Sequence, residues 1–127
     1  MDFNDNKPIY LQMAEGIMDR VLRGELPPGT RLPSVRDYAI NAGVNPNTVQ
    51  RTFTWLQQQD LIFMKRGIGY FVSDGAPTQI MEMRRRNFFE HEAGYFFDRL
   101  ASFGITPEQL SRDYAEFLKK SDKERPE

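Results

Sequence analysis

Residues 32–59 read LPSVRDYAINAGVNPNTVQRTFTWLQQQ, and the spacing within this stretch decides the fold. Ser34 is a good N-cap for a short helix carrying Val35, Tyr38 and Ala39, and Gly43 supplies the residue that ends it. Asn45-Pro46 opens a second helix only two residues later, with proline at the first helical position and Val49, Phe53 and Leu56 on one face. Two short helices joined by a tight glycine-containing turn form a helix-turn-helix pattern.

Upstream, Lys7-Pro8 starts a helix with Ile9, Met13, Ile17 and Val21 at a spacing of four, and Gly24 stops it before the turn cluster Leu26 to Thr30. Downstream, Leu61 to Lys65 and Tyr70 to Val72 flank Arg66-Gly67-Ile68-Gly69, the pattern of a two-stranded hairpin. Three helices and a hairpin in about 75 residues follow the order of a winged helix-turn-helix. After the break at Gly75-Ala76-Pro77, the periodicity predicts one helix from Thr78 to Phe103, ~39 Å long at 1.5 Å per residue. Phe89, Ala93, Phe96, Leu100 and Phe103 form a heptad seam on it, beside a stripe of Met81, Phe88 and Tyr95. Gly104 ends this helix. Thr106-Pro107-Glu108-Gln109 is a capping box opening a last helix with Leu110, Tyr114 and Phe117 inward, and Lys119 to Glu127 is expected to fray. The fold class is therefore mostly α with a small β-hairpin. Residues 1–75 form the winged helix-turn-helix, 76–120 an α-helical dimerisation region and 121–127 a flexible tail.

Composition narrows the chemistry. The chain has 127 residues and no cysteine, so disulfides, thiolate metal sites and a cysteine nucleophile are excluded. His91 is its one histidine; His91-Glu92 begins like a zincin motif, but Tyr95 stands where the second ligand must be. No metal, cofactor, enzymatic activity or membrane partner is expected, and the lack of any ~20-residue apolar run fits a cytoplasmic protein. The net charge of -1 announces no polyanion partner, yet it hides a local imbalance. Between Thr30 and Val72 stand five cations (Arg31, Arg36, Arg51, Lys65, Arg66) and two acids (Asp37, Asp60), a local +3 that leaves -4 for the remainder. The stretch from Pro46 to Gln59 holds no carboxylate, and its outward side carries Asn47, Thr48, Gln50, Arg51, Thr54 and Gln57, several of them types that bond base edges and phosphates. Arg36, in the first turn of a helix where a cation gains nothing from the dipole, is better explained as aimed at an anion or a guanine. Lys65, Arg66, Gly67 and Gly69 make a hairpin tip suited to close approach to a sugar-phosphate backbone. The Arg84-Arg85-Arg86 run reads as a solvated helix face, partly neutralised by Glu82, Glu90 and Glu92.

Four stretches, in order, resemble the GntR family of bacterial transcription regulators: Pro8-Ile9-Tyr10-Leu11-Gln12, Gly24 to Arg36, Gly43 to Arg51, and Arg66 to Val72. The Asn-Pro-Asn-Thr-Val form at 45–49 and the short two-helix C-terminal part look like the YtrA subfamily, whose C-terminal region serves mainly for dimerisation. The resemblance implies that Arg36 reads a base, that Asn45, Asn47 and Thr48 face the groove and backbone, and that Gly67 and Gly69 approach the minor groove. The chain departs from many members at Pro46 and Gln50, where arginine is frequent, and at Ile68, where a cation is common. The DNA-binding set expected is Arg31, Ser34, Arg36, Asn45, Asn47, Thr48, Gln50, Arg51, Lys65, Arg66, Gly67 and Gly69. The dimer interface expected is Met81, Phe88, Phe89, Tyr95, Phe96, Leu100 and Phe103. The partners are then double-stranded DNA and a second copy of the chain, with room for a small-molecule effector of unknown identity, and the function is that of a homodimeric repressor on an inverted-repeat operator, with transporter genes among the targets the family suggests. A winged helix that binds protein would need an apolar recognition face, which the polar side of residues 46–59 does not offer.

Overall fold

The structure is a computed structural model and describes residues 7–124. In chain order it contains α1 (Ile9–Leu22), α2 (Val35–Ala42), α3 (Pro46–Gln58), β1 (Ile62–Lys65), β2 (Gly69–Val72), α4 (Ala76–His91), α5 (Ala93–Ser102) and α6 (Pro107–Glu124). Among the described residues these fall into two compact units that divide between Arg84 and Arg85.

In the first unit α3 packs against α1 and α2. Ala14, Ile17, Met18 and Val21 of α1 are buried, as are Val49, Thr52, Phe53 and Leu56 of α3. The buried stripe of α1 is thus rotated from the one expected: Ile9 is exposed and Met13 is only half-buried. Thr52 is the one polar residue in the core among those described, and its hydroxyl lies 2.9 Å from the Thr48 carbonyl and 3.1 Å from that of Tyr10, so its proton always has an acceptor.

The turns behave as their residues dictate. Gly43 takes φ 68° after α2, and the Val44 N–H donates to the Ala39 carbonyl (3.1 Å), turning the chain within two residues into the N-cap of α3. After α3 the same backbone motif recurs, with the Leu61 N–H on the Leu56 carbonyl (3.0 Å), but here Asp60 occupies the left-handed position at φ 61°. β1 and β2 pair antiparallel, Ile62 opposite Val72 and Lys65 opposite Gly69. A third segment joins them: the N–H groups of Gly29 and Leu32 donate to the carbonyls of Val72 (2.8 Å) and Tyr70 (2.9 Å), and Arg31 bridges to Phe71. In the loop after α1, the Arg23 guanidinium donates to Glu25 (2.6 Å) and holds its carboxyl below the usual carboxylate range.

Three expectations change. The first unit does not stop at Gly75: Ala76 and Ile80 at the start of α4 are fully buried in its core, Met83 packs against it and Arg84 pairs with Asp19 of α1 (2.7 Å). The single helix expected from Thr78 to Phe103 is two helices, because Glu92 (φ -122°, ψ -41°) leaves helical geometry two residues before Gly94, where a missing side chain weakens a helix by about 1 kcal/mol relative to alanine. The last helix, opened as expected by Thr106 Oγ1 accepting from the Gln109 N–H (3.2 Å), runs through the stretch expected to fray as far as Glu124. The remainder of the expected flexible tail lies outside the described residues. In the second unit only Ala93 is buried among the described residues, and Tyr114 and Phe117, expected inward, are exposed.

Asp60 places a β-carbon in left-handed backbone and a negative charge at the carbonyl end of α3. Asp60→Gly should raise the unfolding free energy by ~0.5–1 kcal/mol, read as a higher urea midpoint at unchanged slope; an unchanged or lower midpoint would show that the aspartate is not strained.

Candidate nucleic-acid interface

The recognition surface begins with two caps. Ser34 Oγ accepts from the Asp37 N–H (3.0 Å) and starts α2; Asn45 Oδ1 accepts from the Asn47 N–H (2.7 Å) and starts α3, with Pro46 next. Both side chains expected at DNA are therefore committed to the helix starts, and what they place is the first turn that follows.

Beyond the caps, Arg36, Asn47, Gln50 and Arg51 are exposed and Thr48 is half-buried. Arg36 has no hydrogen bond or ion pair among the described residues, and Arg66 at the hairpin has none either. An unpaired, exposed guanidinium is the cheapest cation to hand to a phosphate or a guanine, because no existing partner has to be given up. Two further side chains hold the surface, and sequence reasoning missed both. Tyr10 of α1 lies under Arg51, the guanidinium carbon 4.1 Å from the ring centroid, which limits the rotamers of that arginine without neutralising it. Tyr70 of β2 sets its hydroxyl 3.4 Å from Gln50 Nε2, which is also 3.4 Å from Thr54 Oγ1. These contacts join residues 41 and 20 positions apart, so no local pattern signals them, although Tyr10 does belong to one of the stretches that carry the family resemblance.

The hairpin supplies the second element. Lys65-Arg66-Gly67-Ile68 closes with the Ile68 N–H donating to the Lys65 carbonyl (2.9 Å), and Gly67 at φ 79° takes the corner position that demands a left-handed residue. Lys65 lies over the Phe71 ring at 4.7 Å, on the face where Phe63 and Phe71 stack across the strands at 5.8 Å. Arg31, expected at DNA, instead donates from Nη2 to the Ile68 carbonyl (2.6 Å) and lies across Gly69.

An acid-free helix face, set one tight turn after a capped helix and flanked by an arginine on one side and a basic hairpin on the other, is the arrangement of a winged helix-turn-helix DNA reader. Residues 9–72 match the family described as bacterial regulatory proteins, gntR family. The chain belongs to the GntR family. It is a DNA-binding transcription regulator of that family, as the resemblance implied, and its relatives are named regulators and not enzymes. Among them is the HTH-type transcriptional regulator YhcF of Bacillus subtilis, 37% identical over 108 residues that cover 85% of this chain and 88% of YhcF. The HTH-type transcriptional repressor YtrA of the same organism is 35% identical over 82 residues, 65% of this chain and 63% of YtrA. A solved GntR-family structure from Bacteroides thetaiotaomicron superposes with a TM-score of 0.80 at 41% identity, covering 90% of this chain and 99% of that one.

The His91 ring sits 3.8 Å from the Glu90 carboxylate on an exposed helix end, and the described residues contain no His, Cys, Asp or Glu group able to hold a metal. Among the described residues no helix is long and apolar enough to cross a membrane.

The two wing glycines differ in a measurable way. Gly67 has open space around it, whereas a β-carbon on Gly69, at φ 143°, would lie 3.2 Å from Arg31 Nε. Gly69→Ala should therefore destabilise more than Gly67→Ala, for which the left-handed φ alone costs about 1 kcal/mol. Urea unfolding of the two variants checks the order, and equal losses would mean that Arg31 swings away at no cost.

Proposed function

We propose that this GntR-family chain is a homodimeric repressor that reads an inverted-repeat operator, α3 entering the major groove of each half-site and the β1–β2 wing lying against the adjacent minor groove. The observation that carries the reading is the exposed, carboxylate-free side of α3, with Asn47, Thr48, Gln50 and Arg51 flanked by unpaired Arg36 and by Lys65 and Arg66. Ser34 and Asn45 act through the helix starts they cap, and Gly67 and Gly69 let the hairpin backbone come close to the sugar-phosphate chain. Arg36 and Asn47 suit base edges, and Arg51 and the wing cations suit phosphates. Occupying an operator that overlaps a promoter blocks polymerase. YtrA is named a repressor, which favours repression here, and transporter genes are the targets that the subfamily likeness suggests. Such a protein works in the cytoplasm, where its DNA is.

Dimerisation rests on the second unit. Within it Phe88, Phe89, Tyr95, Phe96 and Phe103 are all exposed, Tyr95 and Phe103 by 66% each, and Leu100 is only half covered; Met81, expected in the same interface, is exposed on α4 within the first unit. Five exposed aromatics set in a row along the sequence of one small unit make a surface that a folded chain normally covers. Twofold pairing of that row covers it with its own copy and fixes two recognition helices at one separation. The second head then meets its half-site at an effective concentration that reaches the mM range, so affinity rises by orders of magnitude with no new contact.

Selection of bound duplexes from random-sequence DNA tests the reading: an inverted repeat is expected, and a single unrepeated motif would contradict it. On the selected site, Arg36→Ala should cost ~1–3 kcal/mol and relax preference at one base pair per half-site; a uniform loss over all sequences would make Arg36 a phosphate anchor instead. Phe96→Asp with Leu100→Asp should sediment as a monomer and bind only single half-sites weakly. A chain ending at Arg86, which keeps the buried start of α4, should behave the same way. Full-length affinity in either would remove the second unit from DNA binding.

A further inference from the structure

The segment before α2 reaches the tip of the wing through one side chain. Arg31 bridges to Phe71 through its backbone, which registers it against β2. Its guanidinium then runs along the hairpin to donate from Nη2 to the Ile68 carbonyl at 2.6 Å, a contact between residues 37 positions apart. Nε, Nη2 and Cζ lie 3.2, 3.6 and 3.8 Å from where a β-carbon on Gly69 would stand, so the missing side chain of Gly69 is the slot the guanidinium occupies. Arg66, Gly67 and Ile68 form the tip, with Gly69 the first residue of β2, and a tip joined only to its own two short strands is held by little else. The charge-assisted bond to a backbone carbonyl is of the stronger kind, and it acts on the Ile68 carbonyl, where the tip meets β2.

We propose that Arg31 is a positioning residue for the wing: it fixes the Ile68 peptide, so that the flanking Lys65 and Arg66 are presented to DNA in one geometry, and it makes no phosphate contact of its own. The proposal rests on the DNA-facing wing proposed above. It separates Arg31 from Arg36, since both are exposed and stand five residues apart, but the Arg31 guanidinium is bonded to the Ile68 carbonyl and Arg36 has no partner among the described residues.

The test uses the full chain and its selected duplex, with Arg31→Met, the wing variant Lys65→Ala/Arg66→Ala, and the triple variant combining them. Methionine keeps an unbranched side chain beside Gly69 and removes every donor. In the free protein, Arg31→Met should speed amide hydrogen exchange at Ile68 and Gly69 while leaving Phe53 and Leu56 unchanged, which separates a local release of the tip from a weakened fold. Affinity should fall five- to twentyfold in the native background but less than threefold in the wing variant, because a strut has nothing left to position once the cations are gone. Equal losses in both backgrounds, with the slope of log affinity against log salt lower by about one for each, would make Arg31 a direct phosphate contact and overturn the proposal. Unchanged exchange at the tip would overturn it as well. If Lys65→Ala/Arg66→Ala itself left affinity and salt slope at native values, the DNA-facing wing would be what failed, and the positioning role would fall with it.

Discussion

Phe53 has no exposed surface, and its ring meets two others edge-on: Tyr38 of α2 at 5.6 Å and Tyr70 of β2 at 5.1 Å between centroids. One side chain thereby sets the recognition helix against its partner helix and against the wing at once, and edge-to-face pairs fix ring orientation in a way that aliphatic contacts do not. Everything the head presents to DNA follows from that arrangement. With Val49, Phe53 and Leu56 turned into the core, helical periodicity leaves Asn47, Gln50 and Arg51 outside. With Tyr70 held against Phe53, its hydroxyl reaches Gln50 and its strand carries Gly69 and the tip.

The head is legible in the sequence because its signals are local. Ser34, Gly43, Asn45 and Pro46 each act within four residues of where they stand, so the two helix starts and the turn between them follow from residue type alone. The hairpin is legible for the same reason, through Gly67 in the corner of a four-residue turn. What escaped lies across the chain. Tyr10 under Arg51, Arg31 on the wing tip and Arg84 on Asp19 are contacts between distant segments, and nothing in the neighbouring residues announces them. Arg31 is an example: its place among the local cations groups it with the DNA-binding set, and its hydrogen bond to the Ile68 carbonyl, 37 positions away, has no local signal.

Beyond the head, periodicity carried the reading too far in one place and not far enough in another. The heptad seam from Phe89 to Phe103 continues in sequence across Glu92, but the helix does not, since a pattern of apolar residues persists through a weak point that Gly94 creates. The charged end from Lys119 has no apolar residue to anchor it, yet it is helical as far as Glu124, and no local pattern announces that. The second unit is an amphipathic set of helices whose apolar side is left open, in contrast to the first unit, which closes a core around α1, α3 and the buried start of α4. That contrast is what supports the proposal of DNA contact through the first unit and self-association through the second.

The proposed DNA recognition depends on α3 showing one face to its own core and the other to DNA. Amide hydrogen exchange of the whole chain, measured with and without the selected duplex, tests this most directly. It predicts new protection concentrated in residues 45–51 and at the wing tip 65–69, with the exchange of the second unit little altered by DNA. Protection confined to residues 85–124, or slowed exchange spread evenly over the head with none at 45–51, would contradict it.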